Sequence, residues 1–327
     1  MRESNMKNFF KILAVLVLAV SIPFVCMAEN AAETAAPVRV AGLKGPTGMA
    51  LAHMITVDEG KNYELNLVAA PAEVNALVIS GQVDIAAVPI NVGSVLFNKT
   101  EGGVRALSLI TRGMLYVLEN GDSIQSVADL EGKTILNAGQ GATPEYVMNY
   151  ILDTNGVKAN MEFEAEHAAV ASKAIEGLAD VVMLPEPLVT QVLMKNPSFR
   201  KALDITEEFA AAAQKNGFAD AQLSMSVVIA RTEFVEAQPE QVAQFMKDLE
   251  ASIAFANENV ADAAKEIAAL EIIPAAPVAE KALPSCRLVF VSGADMKAQA
   301  APLYDILFAA NPASVGGKVP ADEYYFQ

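Results

Sequence analysis

Asn137–Val147 reads NAGQGATPEYV. Gly139 and Gly141 flank Gln140, and Ala142, Thr143, Pro144 and Glu145 follow. An apolar stretch, Thr134–Leu136, leads in, and helical spacing leads out. The pattern is a strand-to-helix turn. Glycine lets a backbone come close to a ligand and leaves amide donors free. Thr143 suits an N-cap, and Pro144 suits the first helical position, where no amide donor is needed. Glu145 suits the positive end of the helix dipole. A helix start of this kind offers amides and partial positive charge to an acidic group. It does not suit nucleotide chemistry. GQGATP lacks the Lys-Ser/Thr ending of a P-loop. Pro144 stands where a dinucleotide fingerprint needs its third glycine.

The turn has a twin. ISGQVDIAAVPINVGSVLFNK (Ile79–Lys99) aligns without a gap on IEGLADVVMLPEPLVTQVLMK (Ile175–Lys195), 96 residues later. The same offset carries Gly45 onto Gly141, Thr47 onto Thr143, Gly60 onto Gly156 and Val74 onto Val170. Glycine, threonine and proline therefore recur at equivalent joints, against a background of coincidence among alanine-rich helices. A period this long is domain duplication rather than a solenoid.

The repeat unit must position the two turns. Apolar runs without polar alternation (Val38–Leu43, Tyr63–Ala70, Val83–Val88) alternate with helical stretches at Met49–Val57 and Glu73–Ser80. The second copy matches at Thr134–Leu136, Pro144–Leu152, Glu162–Glu166, Val170–Glu176 and Asp180–Leu184. That pattern predicts an α/β fold of two similar lobes with parallel-core sheets. Gly113 should break the run Val104–Glu119 and carry the chain from the first lobe to the second. Ser224–Ala230 is a natural return crossing, so two strands form a hinge. Helices at Pro239–Asn257, Val260–Leu270 and Pro302–Ala310 have no place in the repeat and should pack on the first lobe. The expected division is 1–28 a leader, 37–115 and 229–327 the first lobe, and 116–228 the second. The tail GGKVPADEYYF is turn-rich and aromatic and takes no role in this scheme.

Open α/β sheets bind ligands at the carboxyl edge of their strands. The candidate ligand set is thus Lys44, Gly45, Thr47, Glu73 and Asn91 from the first lobe. The second lobe supplies Gln140, Gly141, Ala142, Thr143, His167 and Glu186. Each has a plainer alternative: Thr47 and Thr143 as caps, Glu73 as a solvated first-turn residue, His167 as a structural histidine. His53 falls inside the first helix and away from the cleft. Lys44 and Arg112 favour an acidic group such as a carboxylate or sulfonate, whereas Glu73, Glu186 and His167 could meet an amine or ring nitrogen. With no tryptophan and few loop aromatics, a stacking cage for a large ring is not expected.

Composition narrows the class. Apolar residues make up 53% and charged residues 19%, which excludes a disordered chain. Arg2, Lys7 and Lys11 precede the apolar run Ile12–Val20, and Cys26-Met27-Ala28 supplies small residues before a cut. This reads as a secretory signal peptide cleaved near Ala28, starting from Met1 or Met6. Lipidation at Cys26 is the alternative, although Pro23, Phe24 and Val25 are not the small residues such a site wants. The leader carries a net +2, so its removal takes the chain from −16 to −18 and leaves Cys286 as the remaining cysteine. Such a charge disfavours nucleic acid and anionic lipid. No GxSxG elbow, zinc spacing or disulfide pair is present, and no cofactor is expected.

VRVAGLKGPTG (Val38–Gly48), LVISGQVDIAAVP (Leu77–Pro89), SVADLEGKTILNAGQGATPEYVMNYIL (Ser126–Leu152) and ADVVMLPEP (Ala179–Pro187) resemble the solute-binding proteins of ABC importers. The similarity is to the periplasmic binding protein group that includes binders of nitrate, taurine, aliphatic sulfonates and thiamine precursors. It runs from Val38 to about Ala313. The resemblance implies a two-lobed, non-enzymatic, periplasmic monomer. Such a protein would capture a small polar organic ligand by hinge closure and hand it to a membrane permease driven by an ATPase. It would meet the membrane only through that permease. Two alternatives stay open: an enzyme of the same fold, like those of the futalosine route to menaquinone, or a ligand sensor for a membrane receptor. The cysteine-rich motif of the yeast-type thiamine-precursor synthases is absent.

Overall fold

A computed structural model describes residues 36–218 and 221–327. The expected leader lies outside the described residues. The first lobe begins with β1 (Val38–Leu43), α1 (Pro46–Asp58), β2 (Tyr63–Val68), α2 (Pro71–Ile79), β3 (Ile85–Pro89), α3 (Ile90–Lys99) and β4 (Val104–Arg112). The second contains β5 (Leu115–Asn120), β6 (Thr134–Ala138), α4 (Thr143–Asn155), β7 (Asn160–Glu164), α5 (His167–Ile175), β8 (Val181–Pro185), α6 (Leu188–Lys195), β9 (Phe199–Asp204) and α7 (Ile205–Lys215). The chain then returns through β10 (Ser224–Arg231), α8 (Thr232–Ala237), α9 (Pro239–Glu258), α10 (Val260–Ala269), α11 (Ala276–Cys286), β11 (Leu288–Ser292) and α12 (Gly293–Ala310).

The first sheet has the order β11-β4-β10-β3-β1-β2, and the second β7-β6-β8-β5-β9. β1 pairs in parallel with β2 and β3, and β6 does the same with β7 and β8. Beside β3 lies antiparallel β10, and beside β8 lies antiparallel β5. Each lobe is thus completed by the strand through which the chain enters it. The second lobe ends earlier than the sequence suggests. Ser224 and Ser226 already pair with Arg112 and Thr111 of the first sheet, so the boundary falls before Ser224 rather than after Val228.

Packing explains why β3 lacks polar alternation, whereas the edge strand β2 exposes Glu64 and Asn66. Ile85, Ala86, Ala87 and Val88 of β3 are all buried, because helices cover both faces. Met49, Phe245, Leu249, Ile267 and Leu283 cover one face from α1, α9, α10 and α11. The other face lies under Leu96 and Leu303 of α3 and α12, and this core continues into the second lobe through Val147 and Phe209. Fully burying one such side chain contributes roughly 1.5–3 kcal/mol. The C-terminal helices therefore belong to the first lobe's core. The tail joins them: Tyr324 is fully buried, with its ring 5.2 Å from Phe97. No described helix is long and apolar enough to cross a membrane.

Candidate functional site

The two glycine-threonine turns lie where expected, at the carboxyl ends of β1 and β6. Their chemistry differs. In the first, Gly45 is buried at φ 111° and Lys44 is exposed. Thr47 is buried and donates its hydroxyl to the Leu43 carbonyl at 3.0 Å. In the second, Gln140 and Gly141 are exposed, and Gly139 and Gly141 both have positive φ. The Gly141 amide donates to the Glu145 carboxylate. Ala142, not Thr143, is the N-cap, because α4 begins one residue earlier than its side-chain chemistry suggests. Thr143 is buried and its hydroxyl has no partner.

The second and third loops divide similarly. Glu73 is exposed in the first turn of α2, and Asn91 is half-buried in the first turn of α3. His167 opens α5, with Nε2 3.9 Å from where a Cβ on Gly139 would stand. Its Nδ1 is buried without a partner, and burial lowers its pKa, so the ring is held neutral. Glu186 is buried, and its carboxylate accepts from the Thr190 amide and from Lys201 Nζ, both at 3.0 Å. His53 stands apart, stacked on Phe255 and beside Glu266.

Sequence reasoning passed over most of what the crossings contribute. Arg112 lies at the end of β4, in register with Ser224 of β10. It is half-buried, and its Nη1 has no hydrogen-bond partner. Burial lowers its pKa, and among the described residues no carboxylate forms an ion pair with it. Thr111, Thr206 and Ser224 also carry buried hydroxyls without partners, and Asn137 on β6 has both amide atoms in that state. A Cβ on Gly113 would stand 2.2 Å from Thr206 Oγ1 and 2.9 Å from the Leu223 side chain, so both crossings touch there. The Glu186 amide donates to the Met114 carbonyl at 3.0 Å, joining the third loop to the same point.

Thus Thr111, Arg112, Asn137, Thr143, His167, Thr206 and Ser224 each place a buried unpartnered polar atom on a carboxyl edge or a crossing. Each such atom left unbonded costs about 1–3 kcal/mol, so a bonding partner for any of them would be favoured; Asn75, Asn98, Ser108, Gln299 and Tyr325 carry others away from these edges. Sequence spacing gave no signal for Asn137, Thr206 or Ser224, because they meet only through strand pairing and the crossings. Among the described residues, no group of three or more His, Cys, Asp or Glu side chains could hold a metal ion.

Flanking contacts hold the lobes across this region. Arg287 follows α11 at φ 48° and grips both Asp204 oxygens. Lys201 Nζ sits 4.0 Å from the centre of the Tyr116 ring and donates to Ser285 Oγ at 2.9 Å. Burial pushes the Tyr116 phenol up to about 12, so it stays a neutral donor to the Ser285 carbonyl. On the opposite flank Asn311 Nδ2 donates to the Tyr146 hydroxyl at 2.8 Å.

The profile of the NMT1/THI5-like family matches residues 57–263, well over half of the chain. No curated protein matches. Among solved structures, an ABC transporter from Parabacteroides distasonis is 18% identical with a TM-score of 0.74, covering 89% of this chain and 99% of its own. The periplasmic aliphatic sulphonate binding protein SsuA from Escherichia coli is 15% identical with a TM-score of 0.70, covering 89% and 92%. The alkanesulfonate-binding SsuA from Xanthomonas axonopodis pv. citri, bound to MOPS, is 16% identical with a TM-score of 0.60, covering 88% and 95%. Identities this low establish the shared two-lobed periplasmic binding protein fold.

Proposed function

Because the chain belongs to the NMT1/THI5-like family, we propose that it is the solute-binding component of an ABC importer. In this reading it is exported, its leader removed near Ala28, and it delivers a small polar organic ligand to a permease and its ATPase. The ligand sits between the two sheet edges and carries an acidic group. The observation that carries this is Arg112, a half-buried guanidinium without a counter-ion among the described residues, in a chain of net charge −16. A buried unpaired charge is costly, and an acidic ligand group would relieve it with charge-assisted hydrogen bonds. Hydroxyls of Thr111, Thr206 and Ser224 would complete that contact, and Asn137, Thr143 and the neutral His167 would meet the ligand's polar remainder. Of the sequence-derived set, the second-lobe turn and His167 fit this reading best. Glu186 serves instead as the partner of Lys201.

The test is a melting-temperature screen of carboxylates, sulfonates, amines and neutral sugars, since a tight ligand raises the midpoint by mass action. Acids should give the shifts. Arg112→Ala should then weaken the best ligand roughly 100-fold by calorimetry, in line with loss of a buried charged contact. Shifts from amines alone, or an unchanged affinity in Arg112→Ala, would end this reading.

A further inference from the structure

A second recognition site lies on the flank where the lobes meet. A cavity of about 810 Å³ opens between α4 of the second lobe, the loop leaving α7, and α12 of the first. That volume falls within the range of roughly 300–1,000 Å³ typical of small-molecule pockets. Three aromatic side chains line it: Tyr146 and Tyr150, one helical turn apart on α4, and Phe218 from the loop. The two tyrosines are fixed by their hydroxyls. Tyr146 accepts from Asn311, and Tyr150 accepts from Asn216 at 2.9 Å while its ring lies 5.8 Å from Phe209. Their ring faces are therefore prearranged, and the entropy of ordering them is already spent in folding.

Charge then selects the occupant. Asp153 stands on the α4 wall and Asp305 on the α12 wall, and among the described residues no lysine, arginine or histidine lines the cavity. Ile306, Ala309 and Ala310 supply an apolar floor with little bulk. Aromatic faces attract cations, and more strongly where water is displaced. Two carboxylates on facing walls add long-range attraction of the same sign, and the chain's −16 reinforces it. We propose that this interlobe cavity binds a small organic cation with an apolar body of aromatic size, a substituted ammonium. The cavity adjoins the second-lobe turn through Tyr146, whose hydroxyl is 3.9 Å from where a Cβ on Gly141 would stand, but Arg112 does not line it.

Benzyltrimethylammonium is the probe, with benzyl alcohol as the neutral control, each titrated into the isotope-labelled full chain and followed by amide shifts. The ammonium should move the amides of Tyr146–Asp153 and Asp305–Ala310, and the alcohol should bind at least tenfold more weakly. Asp153→Asn with Asp305→Asn, both at exposed positions, should weaken the ammonium at least tenfold while leaving the remaining spectrum in place. Ala309→Trp, which fills the floor from another exposed position, should abolish the response. Arg112→Ala should bind the probe as the wild type does, whatever its effect on acids. Shifts confined to the sheet-edge turns, equal binding of the alcohol, or indifference to removing both carboxylates would each overturn the proposal.

Discussion

The two turns descend from one pattern and have diverged in what they leave unfinished. Around Thr47 the hydroxyl is bonded to Leu43, and the helix start is pressed under Ile272, whose Cγ2 lies 3.0 Å from where a Cβ on Gly48 would stand. Around Thr143 the hydroxyl is buried and unbonded, and the turn glycine is exposed. Equal spacing therefore does not mean equal work. In the first lobe α9, α10 and α11 pack with α1, and the Leu43 carbonyl of its own strand satisfies Thr47. The second lobe's helix start is also buried at Thr143 and Pro144, yet its Thr143 hydroxyl stays unbonded.

The sharpest way to break this contrast is to substitute the paired positions 48 and 144. Gly48→Ala forces a Cβ to 2.8 Å from a backbone carbonyl. It should lower unfolding free energy by about 2–3 kcal/mol in urea. Pro144→Ala should cost less than about 1 kcal/mol. Similar losses at both positions would mean that the two helix starts are equally packed. Next come the threonines. Thr143→Val should leave stability level or slightly raised and weaken ligand binding roughly tenfold, because it removes an unsatisfied hydroxyl. Thr47→Val should cost about 1 kcal/mol of stability and leave affinity alone. Swapped outcomes would reverse the assignment of roles.

A smaller effect concerns pH. The His167 pKa is lowered by burial below its ordinary 6.5. The unfolded chain therefore takes up a proton that the folded chain resists, and stability rises with pH in that window. The contribution is fully present above 6.5 and is lost as pH falls towards the folded value. His167→Gln should flatten the difference in denaturation midpoint between pH 7.5 and pH 5. A parallel slope in both proteins would place the ring in solvent. Smallest of all, Glu73→Gln, at an exposed first-turn position, should change affinity by less than about twofold, a helix-dipole effect only.

Alanine, glycine and proline spacing in the chain by itself determined the repeated βαβαβ unit. α2 and α5, and β3 and β8, start and stop 96 residues apart. Strands and helices follow from local periodicity, and glycine stops from backbone conformation, so a duplicated pattern yields a duplicated unit. The break at Gly113 and the amphipathic face of α9 were legible for the same reason. Tertiary structure alone decided the rest. β9 and β11 became strands because an edge was waiting, not because their sequences alternate. Tyr324 found a core formed by residues more than two hundred positions earlier. Glu186 lies in a loop equivalent to that of Ile90, yet Lys201 claims it. Arg112, Thr206 and Ser224 come together because each lobe borrows its antiparallel strand from the crossing chain. Pairing of this kind depends on distant partners, and no local spacing encodes it.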